Sequence, residues 1–353
     1  MTSNSPLSTN GEQSNSASQP TEIEASTLPP STAPDHFTIH ARGAFPSEDD
    51  ARRLATLVGQ AVREFGRVFD LSSLDGVTVA EDYANAVAEL DRGYASSYTL
   101  TPSTGSTVGV AMTPSVLRDG VLKSHILFSA NHAWGLLDAN SPNYQFALHM
   151  IAHECAHVEI TSKFESAIPG VLLRPRFGSI RDQAREDVMF GCWEEYAATN
   201  LSARYGEDPT QGYEDNLLLH MGTARQQAND AIKAYRIDGD LDKAYSAVCK
   251  AYGNLLKYAA YYLGNLDGHG LALSQRQSVE SALSGHWFEP YFHRLDDACR
   301  DIAAQYGAWT DQSLFEVIGD ILEDLVEEGG IQCTPRPDGG VYMNIPFTAA
   351  TMP

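Results

Sequence analysis

His149-Met-Ile-Ala-His153-Glu154-Cys-Ala-His157-Val-Glu159 sets two imidazoles four residues apart, with a carboxylate beside the first. On a helix, positions i and i+4 share a face, so His153 and His157 converge on one point. Neutral imidazole is a good ligand for Zn²⁺, and a catalytic zinc takes three protein ligands while keeping one position open for water. Glu154 falls where a carboxylate can accept the proton of that water. The neighbours Ile151, Ala152, Cys155, Ala156 and Val158 make this helix apolar nearly all round. Two histidines and a glutamate buried there need partners.

The helix should open at Ser141-Pro142, an N-cap residue followed by proline at the first helical position, and end near Ser162. Upstream, Phe37–Gly43 reads as a strand, and Ser47–Asp50 as an Asp variant of the capping box. The helix that follows carries an apolar stripe of Leu54, Leu57, Val58, Val62, Phe65 and Phe69. Gly76 punctuates the chain before a short strand, Val77–Val79, and a helix is expected from about Glu81 to Leu90. Gly109–Met112 and His125–Ser129 read as further strands. Residues 163–185 look irregular. Helical periodicity returns at Asp187–Tyr205 and dominates 213–328, until Gly329-Gly330 stops it before a small hairpin. Residues 1–36, rich in Ser, Thr, Pro, Asn and Gln, have too few large apolar side chains to offset the cost of ordering and are expected to be disordered.

The 353 residues carry a formal net charge of −22. That argues against nucleic acid, whose recognition rests on clustered Lys and Arg, and against an anionic membrane surface. The five cysteines are widely spaced and form no CxxC, which fits free thiols in a reducing compartment. No secretory signal and no membrane-length apolar run is evident, so a cytoplasmic protein is expected.

Two histidines leave a site incomplete. A metzincin continuation is excluded because Ile160 and Lys163 stand where its Gly and His belong, and the reversed H-x-x-E-H order is absent. The remaining solution is a carboxylate from a downstream helix, and Cys192-Trp193-Glu194-Glu195-Tyr196-Ala197-Ala198 supplies two, with small alanines that permit close packing. With a strand (HILFS), the HECAH helix and a later E-x-x-A helix, the chain resembles gluzincin-type zinc metallopeptidases. It is most similar to minigluzincin-like domains of uncharacterised bacterial and phage proteins, and more loosely to the ImmA/IrrE group.

The resemblance implies an α+β, zincin-like catalytic domain with a small mixed sheet over residues 37–205. A mainly helical extension over 206–330 and a hairpin tail over 331–353 would follow. It implies one Zn²⁺ per chain held by His153, His157 and Glu195, with Glu194 as the alternative third ligand and Glu154 as general base. It implies a peptide or protein substrate lying antiparallel to the edge strand before the active helix, a place assigned to His125–Ser129. The helical region would cover the cleft or bind a protein partner. A regulatory protease specific for one partner, and a non-catalytic zinc-binding interaction module, are the rival readings.

Other residues have blander readings. His149 is expected to be an ordinary half-buried histidine rather than a ligand, and Glu159 to lie on the wrong side to bind. Cys192 is a rival to Glu195 by proximity alone, whereas Cys155 faces away. Arg174, Arg176, Arg181 and Arg185 form a basic island in an acidic chain, read either as a lip over the cleft or as a charge-balancing loop. Tyr258, Tyr261 and Tyr262, like the Trp287–His293 aromatic cluster, are expected to be packing residues.

Overall fold

Val77, Val79, Ile126 and Phe128 alternate along two strands with Thr78 and Leu127, so the sheet presents one apolar face to a pair of long helices and a second face to a short one. A computed structural model describes residues 29–96, 99–103, 109–173, 179–337 and 340–352. In chain order its elements are β1 (Thr38–Arg42), α1 (Glu48–Phe65), β2 (Leu74–Ala80), α2 (Tyr83–Ala88), β3 (Ala111–Met112), β4 (Ser115–Arg118), β5 (Val121–Ser129), α3 (Ala130–Ala133) and α4 (Tyr144–Ala167). There follow α5 (Ile180–Ser202), α6 (Thr210–Asp238), α7 (Leu241–His269), α8 (Gln277–Leu283), α9 (Glu289–Ala303), α10 (Ser313–Glu328) and the hairpin β6 (Gln332–Pro335) with β7 (Val341–Asn344). The class is α+β with a small mixed sheet, as expected. None of the described helices is long and apolar enough to cross a membrane.

The main sheet runs β1-β2-β5-β3 with β4 also on β5; β1, β2 and β5 are parallel, and β3 and β4 antiparallel to β5. This corrects the expectation for His125–Ser129: it is the C-terminal part of an interior strand, not an edge. The edge is formed by β3, within the expected strand Gly109–Met112, and by β4, for which no strand is expected from the sequence. Asp119 and Gly120, with φ of 51° and 78°, close a tight hairpin between β4 and β5. An Asp-Gly pair suits such a turn because both central residues need positive φ. Between β3 and β4, Pro114 has no N–H to give the ladder, which an edge position tolerates. Gly76 also differs from expectation. It lies inside β2, where a Cβ would stand 2.8 Å from Thr38 Oγ1 and 3.0 Å from Thr38 O.

Leu54, Val58 and Val62 of α1 and Ala147, Ile151 and Val158 of α4 are buried on the Val77/Phe128 face. On the far face Tyr83, Ala86 and Val87 of α2 cover Ala80 and Leu127. A chain of polar groups on that side is paired. Asp75 Oδ2 is 2.9 Å from His125 Nδ1 and Thr78 Oγ1 is 3.0 Å from His125 Nε2, while Arg118 grips Asp75. Burial lowers the pKa of His125 despite Asp75, so its ring is neutral, donating to Asp75 and accepting from Thr78.

Ser47 caps α1 by accepting from Asp50 N at 3.0 Å, although Asp50 answers to the Ser47 hydroxyl rather than to its backbone, so the box is half made. The α4 helix opens at Tyr144, two residues later than Ser141-Pro142 suggests. Ser141 spends its side chain on a turn, accepting from Asn143 N at 3.2 Å. It also continues past Ser162 to Ala167. The expected irregular stretch shrinks at its other end too, because Ser179 and Asp182 form a full capping box that starts α5.

Of the expected disordered tail, residues 1–28 lie outside the described residues, but 29–36 are tied down. Thr32 Oγ1 donates to Phe69 O at 2.7 Å and accepts from Leu71 N at 2.9 Å, which satisfies the turn after α1. One buried core runs from Phe37 to Ile331 and includes side chains on both sides of residue 205. Its tightest helix contact is α7 on α5: a Cβ on Gly264 would lie 2.1 Å from Tyr196 O, and one on Gly268 2.4 Å from Asn200 O. Glycine at these positions lets α7 lie against the backbone of the helix that carries Glu194 and Glu195.

Candidate metal centre

The α4 helix turns His153 and His157 to one side, where their Nε2 atoms are 3.2 Å apart. Glu195 of α5 completes a triangle, its Oε2 lying 3.4 Å from each of the two nitrogens. These three are the one group among the described residues whose ligand atoms gather tightly enough to hold a metal ion. Tetrahedral bonds of about 2.0–2.1 Å would set donor atoms roughly 3.3–3.4 Å apart, so the triangle has the size zinc requires. The donor set fits as well. Glu195 Oε2 is buried without a hydrogen-bond partner, and the two ring nitrogens stand at a distance that either a shared proton or a cation can bridge.

Between the two glutamates left open by the sequence, it is Glu195 that points at the histidines. Glu194, one residue back and so rotated around α5, is near enough to help raise the pKa of His157 but gives no atom to the group. Electrostatics bind the metal-free cluster together. Burial works against charge on His157, yet Glu195 foremost, then Glu154 and Glu194, outweigh it and lift that pKa to about 9. Burial likewise works against the Glu195 carboxylate, and the two histidines with Lys257 outweigh it and hold the group well below the usual carboxylate range. A proton on His157 thus stands in for the charge a cation would bring.

Glu154 is 6% exposed and engaged: Thr113 Oγ1 donates to its Oε2 at 2.7 Å. On the other side, Lys257 Nζ of α7 is 3.8 Å from Glu195 Oε1, the oxygen turned away from the histidines. One helical turn on, the Tyr261 ring stacks on His153 at 6.1 Å and 16°, and Tyr213 of α6 stacks on Tyr261 at 5.3 Å. Burial first, then Glu195, keeps the Tyr261 hydroxyl protonated far above its ordinary range. The reading of Tyr261 as a packing residue is therefore corrected, for it forms a wall of the site. Lys257 and Tyr261 carry a local signal, a single charged residue in the apolar stretch 251–266 of α7 with an aromatic at i+4. Thr113 carries none, since only strand pairing brings it to Glu154.

The other candidates fall away from the centre. His149 is buried with Nδ1 3.0 Å from Tyr205 O; burial, then His153, depress it to about 4, which leaves it a neutral tie to the end of α5. Glu159 accepts from Asp70 N at 2.7 Å and from the Tyr306 hydroxyl at 3.2 Å, a structural clamp. Cys155 and Cys192 are fully buried thiols outside the metal-binding group, and burial pushes both up. Arg181 and Arg185 form no lip over the cleft. Arg181 pairs with Glu323, and Arg185 reaches Glu316, Asp320 and Glu323 of α10 at 2.8, 2.8 and 2.7 Å, which ties α10 to α5. Arg174 and Arg176 lie outside the described residues. Of the Trp287–His293 cluster, Phe288 and Phe292 are fully buried, as packing residues should be.

No protein-family model matches this chain, and no curated protein and no solved structure matches it.

Proposed function

We propose that this protein is a zinc-dependent metallopeptidase of the gluzincin kind, with the zincin-like arrangement that the HECAH helix suggests. The observation that carries the reading is the 3.2, 3.4 and 3.4 Å triangle of His153, His157 and Glu195 with Glu154 beside it. His153 Nε2, His157 Nε2 and Glu195 Oε2 would hold the ion. When bound, zinc supplies a Lewis acid for the substrate carbonyl and lowers the pKa of water towards ~7. Glu154, with Oε2 engaged by Thr113, offers Oε1 to take a proton from the attacking water and return it to the departing amine. Tyr261, whose ring stacks on His153, and Tyr213, stacked on Tyr261, would be the hydroxyl donors to test for charge developing on the carbonyl oxygen. Lys257 occupies Glu195 Oε1 and so favours binding through the single oxygen Oε2.

An extended substrate would pair with the open side of β3. Ser129 N and His125 N donate to Val110 O and Pro114 O, and strand alternation then turns the main-chain groups of Ala111 and Thr113 away from β5. A protease with a single protein substrate is the narrower form of the reading. It is favoured by the tyrosine stack, which leaves the His153 side chain 13% exposed.

Elemental analysis of wild type, His153→Ala, Glu194→Ala and Glu195→Ala tests the site. About one zinc per chain, kept in Glu194→Ala and lost in the other two, is the expected result. Wild-type protein that neither contains nor takes up zinc would end the reading. Peptide cleavage lost in Glu154→Gln with zinc retained would separate chemistry from a zinc-binding scaffold.

A further inference from the structure

We propose that Thr113 is a positioning residue for the general base, and that it acts from the strand edge along which substrate would lie; the inference rests on the peptidase reading above. Strand alternation decides where Thr113 points. Met112 pairs with Leu127 and packs in the small cluster under α2, whereas Ala111 pairs with Phe128 of the core shared with α4. Thr113, one residue beyond Met112, therefore projects towards α4. There its Oγ1 lies 2.7 Å from Glu154 Oε2 and 3.2 Å from Glu154 O. A hydroxyl has one hydrogen, and the shorter contact to a charged oxygen takes it.

This bond is consequential for three reasons. Glu154 is buried, so few water molecules compete to orient its carboxylate. Threonine is β-branched and stiff at χ1, so the backbone of the edge fixes its hydroxyl. The bond also differentiates the two carboxylate oxygens, since Oε2 is occupied and Oε1 is left to exchange a proton. The main-chain groups of Thr113 meanwhile face the open edge. One residue therefore joins the surface that aligns an extended chain to the group that activates water.

The test compares wild type, Thr113→Val, Thr113→Ser and Glu154→Gln on the best-cleaved member of a quenched-fluorescent peptide library, with zinc content and Tm measured in parallel. Thr113→Val should lower kcat about tenfold or more and leave KM within about twofold, with zinc content unchanged. Thr113→Ser, which keeps the hydroxyl, should recover to within about threefold of wild type. Thr113→Val turning over as fast as wild type per bound zinc would overturn the proposal, even if its Tm fell, because Thr113 would then serve stability alone. A zinc-loaded wild type inert across the whole library would take down the peptidase reading and this assignment together. That outcome is recognisable because no variant would differ from wild type.

Discussion

Exchanging Gly264 for alanine should act on the metal site through the contact of α7 with α5. A Cβ there would lie 2.1 Å from Tyr196 O and 2.4 Å from Thr199 Oγ1, whereas real Cβ atoms stay beyond 3.0 Å. The closest obstacle is a backbone carbonyl, which cannot swing aside, so α5 and α7 must part by nearly an ångström. Overpacking of this kind costs about 1–3 kcal/mol, against about 1 kcal/mol gained by replacing glycine with alanine in a helix. With a rigid obstacle the upper end applies, giving a net loss of about 2 kcal/mol and a Tm lower by roughly 4 °C. Tyr196 follows Glu195 directly, so the same displacement moves the third ligand. Metal sites tolerate only about ±0.2 Å, and zinc affinity should fall roughly tenfold or more in a chelator competition. Gly222→Ala is the matched control. Its Cβ would meet nothing within 4 Å, so the same substitution should stabilise by about 0.5–1 kcal/mol and leave zinc binding intact. A Gly264→Ala protein that melts above wild type, as the control should, would refute the close contact.

The metal-free protein should be most stable at mildly acidic to neutral pH. His157, raised to about 9, contributes stability that is full below its unfolded value near 6.5 and is lost as pH rises through about 9. Glu195, depressed, contributes stability present above its unfolded value near 4.5 and lost as pH falls through its folded one. Thermal melts from pH 5 to 10 should decline on the alkaline side, and Glu195→Gln should abolish that decline; a wild-type profile level to pH 10 would contradict the ion pair. Zinc at about a thousand times its Kd should stabilise wild type by roughly 4 kcal/mol and His153→Ala hardly at all, read as the shift in thermal midpoint. Arg185→Ala leaves three carboxylates of α10 without their common cation and should cost about 1–2 kcal/mol, discounted for the exposure of Glu316 and Asp320. Urea titration would show this, and an unchanged midpoint would mean the network adds nothing to stability.

Local signals in the sequence carry far into this structure. Alternating apolar residues located the sheet, and helical periodicity located the long helices. The Asp119-Gly120 hairpin and the Ser179–Asp182 capping box are equally local, and they fix the place of β4 and the start of α5. The edge position of β3 is different in kind. Nothing in HILFS says which strands flank it, and its apolar run fits an interior strand as well as an edge. Tyr261 is ambiguous in the sequence because an aromatic at helical spacing serves a core and a cleft wall alike.

By itself the sequence determined the pair of histidines and the neighbouring glutamate, because i and i+4 on one helix is geometry that a linear pattern fixes. It also narrowed the third ligand to two adjacent residues. Choosing Glu195 over Glu194 required the rotation of α5 against α4, which is set by buried faces and by the close approach of Gly264 to Tyr196. Thr113, Lys257 and Tyr261 join the site through contacts to Glu154, Glu195 and His153 that lie 41, 62 and 108 residues away in sequence. Their places follow from how sheet and helices pack, since local spacing carries no information about which distant surfaces will meet.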